Sequence, residues 1–456
     1  MGHYNFIPIE REQDLLLPPS LREWLPEQDL AWFIIDAVSH ISLKPFYSRY
    51  RSDGWGNAAY DPKMMVSLLL YAYCLGVRSS REIERRCERD IAFRVITANQ
   101  RPDHSTIARF RQGNEQELSV LFTEVLRLCA EAGLVKVGLV ALDGTKVKAN
   151  ASLGTNRSYG WIEKKVQEML DEAADKDKEE DQLYGENRRG DELPEDFQDR
   201  GKRLERLKEA KARLEQQAKE AAAQQAAKIQ RREEEEQKSG KQKRGRKPKR
   251  PQDDPQPESK ANMTDPQSRI MKTRTGYVQG YNAQAVVTED QIILAADVTQ
   301  EENDKKQLHP MLEKAQVELV SAGVEDKIDT ALQDAGYWSE ENILIADPEG
   351  PELLIATTKD WKQRKALREQ GPPRGRIPND ITLKERMERK LCTKRGWALY
   401  KRRGSIVEPI FGQIKDIRRC DQFMRRGYVA AQSEWRLIAA THNLLKLWRS
   451  GKWSWT

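Results

Sequence analysis

Asp143 sits inside a short apolar run, Leu139-Val140-Ala141-Leu142-Asp143-Gly144-Thr145-Lys146-Val147. A run this short, rich in Val and Leu, predicts a buried β-strand. A carboxylate on such a strand is costly to bury unless it is paired or binds a cation. Two further acids occupy similar settings. Asp334 ends the strand-like run Ile328-Asp329-Thr330-Ala331-Leu332-Gln333, and Glu408 lies in Ser405-Ile406-Val407-Glu408-Pro409-Ile410-Phe411, an apolar stretch flanked by arginines. Three acids in three separate elements of a basic chain point to a metal cage that acts on an anionic substrate.

At 456 residues the chain is too long for one ordinary domain, and two or three are expected. Charged residues make up 33% and the mean hydropathy is −0.81. No apolar run reaches the roughly 18 residues that a membrane span requires. Residues 1–5 lack a basic n-region leading into an apolar one, so no secretory signal is expected. Cys74, Cys87, Cys129, Cys392 and Cys420 show no metal-ligand spacing and are odd in number, which predicts reduced, inert thiols in a cytoplasmic protein. The five histidines are as scattered, which argues against zinc. Net charge is only +6, but basic residues cluster at 241–250, Arg402-Arg403, Arg418-Arg419 and Arg425-Arg426. Such clusters suit a polyanion, with phosphates as the default partner; a solvated charged surface is the competing reading.

Residues 1–135 read as an all-helical domain. Helices are predicted over 24–38, from Pro62 to a stop at Gly76, over 81–89 and 91–98, and from Thr106 after the cap-like Pro102-Asp103-His104-Ser105. Arg109 and Arg111 give the last of these a basic outer face. The short capped helices over about 62–115 suit a helix-turn-helix DNA-binding unit, and a plain helical bundle is the alternative.

After Asn150 the pattern changes. Residues 153–238 predict a charged helical hairpin inserted behind the first strand. Ile162, Val166, Met169 and Ala173 form one apolar stripe. Leu204, Leu207, Lys211, Leu214, Ala218 and Ala221 form a heptad-like one on the second helix. The turn is expected around Pro194. Residues 239–269 are a basic, low-complexity linker expected to be disordered. There Arg244 and Arg246 are DNA-binding candidates, either in a minor-groove arm or through nonspecific phosphate contact.

Strand signals return over 277–288 and 292–298, with a turn at 289–291. A helix over 305–322, the strand ending at Asp334, a helix near Ser339, a strand over 352–357 and long helices including 436–448 follow. Without the insertion the order is β-β-β-α-β-α-β-α. That is the order of an α/β ribonuclease-H-like (retroviral-integrase-like) core, here made of residues 136–152 and 270–456. In that fold one acid lies on the first strand, one just after the fourth and one on the last helix, where Asp143, Asp334 and Glu408 fall. Asp304, Asp329 and Asp347 are read as surface or cap residues.

Three segments resemble a DDE transposase of a bacterial insertion sequence: Ala141-Leu142-Asp143-Gly144-Thr145-Lys146-Val147-Lys148-Ala149-Asn150; Asp334-Ala335-Gly336-Tyr337 with Ser339-Glu340-Glu341-Asn342; and Tyr400-Lys401-Arg402-Arg403 with Val407-Glu408-Pro409-Ile410-Phe411-Gly412-Gln413-Ile414-Lys415. Tyr281-Asn282-Ala283-Gln284-Ala285 and Asp103-His104-Ser105-Thr106 are also similar to the family. The resemblance implies that Asp143, Asp334 and Glu408 are the catalytic residues and hold two Mg²⁺ ions, for which Mn²⁺ can substitute, with Asp143 bridging both. It implies cleavage at transposon ends by water, then attack of the freed 3′-OH on target DNA. Tyr400, Arg403 or Arg402, and Lys415 would contact DNA around the last acid; Lys146 and Lys148 are within reach of it, with a solvated strand end as the competing reading. The implied partner is double-stranded DNA, both terminal inverted repeats and target, bound by a homodimer in a prokaryotic cytoplasm at the nucleoid. A structure-specific nuclease on the same core, or a domesticated DNA-binding protein, remain alternatives.

Overall fold

The periodic, well-capped segments at the N-terminal end form helices, and the β-branched segments beyond residue 135 form a sheet. In the computed structural model, which describes residues 20–50, 59–184, 195–239, 250–369, 371, 375, 378 and 380–453, these are two units. One comprises Met1–Leu134 with Ala440–Thr456, the other Val135–Ala439.

The first unit holds α1 (Leu30–Ser39), α2 (Lys44–Tyr47), α3 (Pro62–Cys74), α4 (Ser80–Arg89), α5 (Ile91–Ile96), α6 (His104–Gly113) and α7 (Glu115–Glu131). The first helix begins at Leu30, not at residue 24. The Asp29 carboxylate accepts from the Ala31 N–H at 2.8 Å and caps it there, and Pro26 upstream has no N–H to continue a helix. Asp61 caps α3 in the same way, with Pro62 in the first turn. Asp103 accepts from the Thr106 N–H at 2.9 Å and starts α6. Arg109 is exposed. Arg111, expected on the same outer face, is instead buried: its Nη1 donates to the Arg78 carbonyl at 2.7 Å and to the Tyr73 hydroxyl at 3.2 Å. Residues 440–456, expected in the catalytic core, belong to this helical unit. Cys74 Sγ donates to Thr441 O at 3.8 Å and Cys129 Sγ to Asn443 O at 3.7 Å.

The second unit begins with β1 (Leu139–Lys148). There follow β2 (Asn156–Ser158), α8 (Tyr159–Tyr184), α9 (Glu195–Ser239), β3 (Lys260–Asn262), β4 (Arg269–Thr273), β5 (Gly276–Thr288) and β6 (Ile293–Thr299). Next come α10 (Leu308–Ser321), β7 (Thr330–Gln333), α11 (Glu340–Leu344), β8 (Glu352–Ile355), α12 (Trp361–Glu369), α13 (Leu383–Cys392), α14 (Lys394–Tyr400), α15 (Arg403–Gly412) and the first half of α16 (Tyr428–Ser450), whose residues from Ala440 on belong to the first unit. The six-stranded sheet runs β4-β5-β1-β7-β8, with β6 also on β5. It is mixed: β5 is antiparallel to β1, and β7 and β8 are parallel to it in turn. The long β5 has three partners, pairing β1 along 280–288, β4 along 276–280 and β6 along 282–287. Ten consecutive residues of β5, from Gln279 on, are buried, so this strand lies within the sheet's core.

The insertion is an antiparallel helical hairpin. Ile162 and Val166 of α8 pack with Leu207, Ala210 and Leu214 of α9, and Ala261 of β3 closes the cluster. Lys211 lies at the margin, its Nζ 3.1 Å from Glu163 Oε1. Ala210 fills the place foreseen for it, and Ala222 is buried where Ala221 is exposed. A straight helix of 3.6 residues per turn drifts away from a strict heptad, which accounts for both shifts. Ala173, Pro194, Arg244 and Arg246 lie outside the residues whose side chains are described.

Residues 250–269 are ordered, contrary to the expected linker. β3 pairs antiparallel with β2. The fully buried Asn262 supplies the reason. Its Oδ1 accepts from the Thr264 and Asp265 N–H groups at 2.9 and 3.1 Å and from Thr155 Oγ1 at 3.1 Å, and its Nδ2 donates to Ser152 O at 2.8 Å. One amide thereby ties the two ends of the insertion together. Asp265 is buried beside it and accepts from the Tyr281 hydroxyl at 2.9 Å, which docks this segment on β5. Among the described residues no helix is long and apolar enough to cross a membrane.

Candidate functional site

The parallel ladder between β1 and β7 ends with the pair Leu142 and Gln333. The next residue on each side is an acid, so two carboxylates sit where the parallel pairing stops: Asp143 midway along β1, which runs on to Lys148 against β5, and Asp334 just beyond the carboxyl end of β7. Crevices at such strand ends are where open α/β sheets bind ligands. Asp143 Oδ1 accepts from the Gly144 N–H at 2.8 Å, and Asp334 Oδ1 from the Gly336 N–H at 2.7 Å.

α15 contributes the third acid and a cation. Arg403 Nη1 donates to Asp143 Oδ2 at 2.8 Å, and Arg403 Nη2 is 3.7 Å from Glu408 Oε1. The Glu408 side chain is 71% exposed, against 21% for Asp143. Burial raises the Asp143 carboxyl to about 6; the Arg403 guanidinium opposes the rise and the nearby Asp334 charge adds to it. Among the described residues no three acids, histidines or cysteines are grouped so as to hold a metal ion. The fork of Arg403 is the cation compensating Asp143 and Glu408.

The remaining candidates divide by what they touch. Tyr400, expected at DNA, is buried, and its hydroxyl donates to the Gln333 carbonyl at 3.2 Å, one residue before Asp334. Lys415 Nζ donates to Thr145 Oγ1 at 3.1 Å and to Lys146 O at 3.0 Å, pinning the far half of β1; burial lowers its pKa, against the pull of Asp421 and Asp416. Lys146 does not reach outward as expected. Its Nζ donates to Glu302 O at 2.7 Å and lies 3.8 Å from Asp304 Oδ1, and burial lowers its pKa. Lys148 is more exposed and pairs with Asp421 at 3.1 Å. Arg402 pairs with Glu289.

Side chains alternate across a strand, so Gly144 and Lys146 share the face opposite Asp143. On that face lies a polar group that the sequence reading missed. Asp304, taken there for a surface or cap acid, accepts on Oδ1 from Asn282 Nδ2 at 2.7 Å and from Gln284 Nε2 at 2.8 Å. The buried Tyr337 donates to Gln284 Oε1. Burial raises the Tyr337 hydroxyl pKa well above its usual range, and the charges of Asp304, Asp143 and Asp334 add to the rise. Two glycines make room for this group. A Cβ on Gly144 would lie 2.8 Å from Asp304 Oδ1 and 2.9 Å from Asn282 Oδ1, with Gln284 Nε2 closer still. A Cβ on Gly336 would lie 2.8 Å from Asp334 Oδ1 and 3.2 Å from Asp304 Oδ2. The available signal was two amides at i and i+2 on a strand buried on both faces, since buried amides must find partners.

Two family models match the chain. Residues 19–113 match a transposase domain (DUF772), and residues 251–444 match a transposase DDE domain. No curated protein and no solved structure matches. Asp334 and Glu408 fall within the second match, while Asp143 lies outside both matches, on a strand that pairs with β7 of the second. A DDE domain implies a ribonuclease-H-like α/β core, and the mixed sheet with its separate helical region agrees with that. The chain belongs to the DDE transposases of insertion sequences.

Proposed function

We propose that this transposase cuts DNA at the ends of its element and joins the freed 3′-OH to target DNA, with Asp143, Asp334 and Glu408 as its catalytic acids. The observation that carries this reading is the placement of Asp143 and Asp334 side by side where the parallel β1–β7 pairing stops, with Arg403 linking Asp143 to Glu408. Enzymes of this family generally use divalent metals. The donor set fits such ions: carboxylate oxygens suit hard cations, and Arg403 already stands in as positive charge between two of the three acids. Glu408, largely exposed, is held only by Arg403 among the described residues. Asp143, Asp334 and Glu408 would therefore hold Mg²⁺, or Mn²⁺ in its place. The bound ions would supply the charge that steadies the attacking and leaving oxygens of a phosphodiester.

The chain's own residues do the positioning. Tyr400 fixes the backbone just before Asp334, and Lys415 fixes β1 just after Asp143 while keeping one of its three N–H groups for a phosphate. Asp304 acts from the opposite face, through Asn282 and Gln284, to hold the glycine-lined floor beneath both acids. Exposed Arg109, and Arg402 and Lys148 once they exchange Glu289 and Asp421 for phosphates, would meet the DNA backbone, which carries affinity rather than sequence information. The helical unit around α4 to α6 would read the terminal repeats, and a homodimer would bring two ends together.

Inverted repeats flanking the gene supply the substrate for the test. With Mg²⁺ and that DNA, the wild-type chain is expected to nick the ends and join them to a second duplex. Asp143→Asn should lower cleavage by more than about 100-fold, beyond what loss of a supporting residue costs, and leave binding intact. Full cleavage by the variant would remove Asp143 from the site. Cleavage without joining would indicate a nuclease, and binding alone a DNA-binding protein.

A further inference from the structure

Against the helical hairpin lies a cavity of about 470 Å³ whose lining includes none of the three acids. Arg157 from β2, Arg203 and Arg206 from α9 and Trp161 from α8 line it, with Leu207 and Met263 as its floor. Its lining contains no acid. Arg203 and Arg206 are exposed and form no ion pair among the described residues. Arg157 spends Nη1 on the Gly154 and Asn156 carbonyls at 2.9 Å, and its guanidinium lies 5.5 Å from the Trp161 ring centre. Trp161 is 39% exposed although its neighbour Ile162 is fully buried in the hairpin core. The core therefore does not need this indole.

An exposed tryptophan beside two exposed arginines that have no ion pair among the described residues fits one chemistry better than others. Arginines alone would suit the phosphates of any duplex, but the indole adds a flat apolar face that duplex DNA, with its bases stacked inside, cannot use. An unpaired base can stack on it while its phosphates meet the guanidinium groups. The volume is within the range of small-ligand sites. We propose that this cavity binds an unpaired nucleotide of a DNA strand, with the base on Trp161 and the flanking phosphates on Arg203 and Arg206. The proposal rests on the DNA-processing reading of the chain but on none of its three acids.

The test uses the full chain in EDTA and a thymidine pentamer with a central 5-bromouracil. Irradiation is expected to crosslink the probe to the peptide that holds Trp161. Trp161→Ala should weaken pentamer binding roughly 5- to 150-fold, and Trp161→Phe should recover most of it. Arg203→Gln combined with Arg206→Gln, both at exposed positions, should weaken binding and flatten its salt dependence, which guards against a Trp161 variant that merely misfolds. Crosslinking only elsewhere, unchanged affinity in the arginine double variant, or equal competition by a duplex of the same length would overturn the proposal. Asp143→Asn should bind the pentamer like wild type, so failure of the acid assignment and failure of this site are separable.

Discussion

Arg403 Nη1 lies 2.8 Å from Asp143 Oδ2, and Arg403 Nη2 lies 3.7 Å from Glu408 Oε1. One guanidinium thus compensates an acid on a central strand and an acid on the helix above it. Arg403→Gln should leave Asp143 half-buried without its cation. Breaking a buried pair costs about 3–5 kcal/mol, and the partial exposure of this one reduces that to about 1–3 kcal/mol. Thermal unfolding in EDTA should register the loss, and saturating Mg²⁺ should shrink it. A loss of equal size in both conditions would mean that Arg403 and the ions do not share a site.

Gly144 has no room for a methyl group, because Asp304, Asn282 and Gln284 converge on its face. Gly144→Ala should displace that group and lower Mg²⁺-dependent cleavage on the order of 10–100-fold, the usual effect of losing residues that orient metal-binding side chains. Asp304→Asn keeps the shape and loses the charge, and should lower cleavage over the same range with DNA binding preserved. Wild-type cleavage by Asp304→Asn would reduce this acid to a packing residue.

Asn262 is fully buried and makes four hydrogen bonds across the base of the insertion. Asn262→Ala would strand two backbone N–H groups, at a cost of about 2–3 kcal/mol. Denaturant unfolding and limited proteolysis near residue 260 should both report it. Unaltered proteolysis would show that the β2–β3 pairing holds the insertion without this amide.

Burial pushes the Cys87 and Cys129 thiols each up to about 12. A raised thiol pKa means less thiolate at pH 8, and the thiolate is the reactive form. Cys74 and Cys420 are buried too, and Cys392 is half-buried. Native protein treated with a thiol-specific disulfide reagent at pH 8 should release at most one rapid equivalent. Denatured protein should release all five. Two or more fast native equivalents would contradict the burial described for these positions.

Local pattern was enough to mark the strand bearing Asp143, the acid after β7, the helical hairpin and most helix starts, because periodicity and caps act over a few residues. The setting of Asp143 was legible for the same reason: a charge in a short apolar run is anomalous wherever the run ends up. What the acids and their neighbours touch was decided only by the fold. Asp304 looked like a surface acid until β5 brought Asn282 and Gln284 to it, and Lys146 looked solvent-facing until the loop after β6 covered it. Arg111 and Tyr400 turned inward for partners 33 and 67 residues away. Residues 250–269 have a disordered composition, yet Asn262 and Asp265 hold them through partners 110 and 16 residues distant, respectively. A polar side chain settles where its hydrogen-bond partners are, and those partners come from distant segments that only the folded chain brings together.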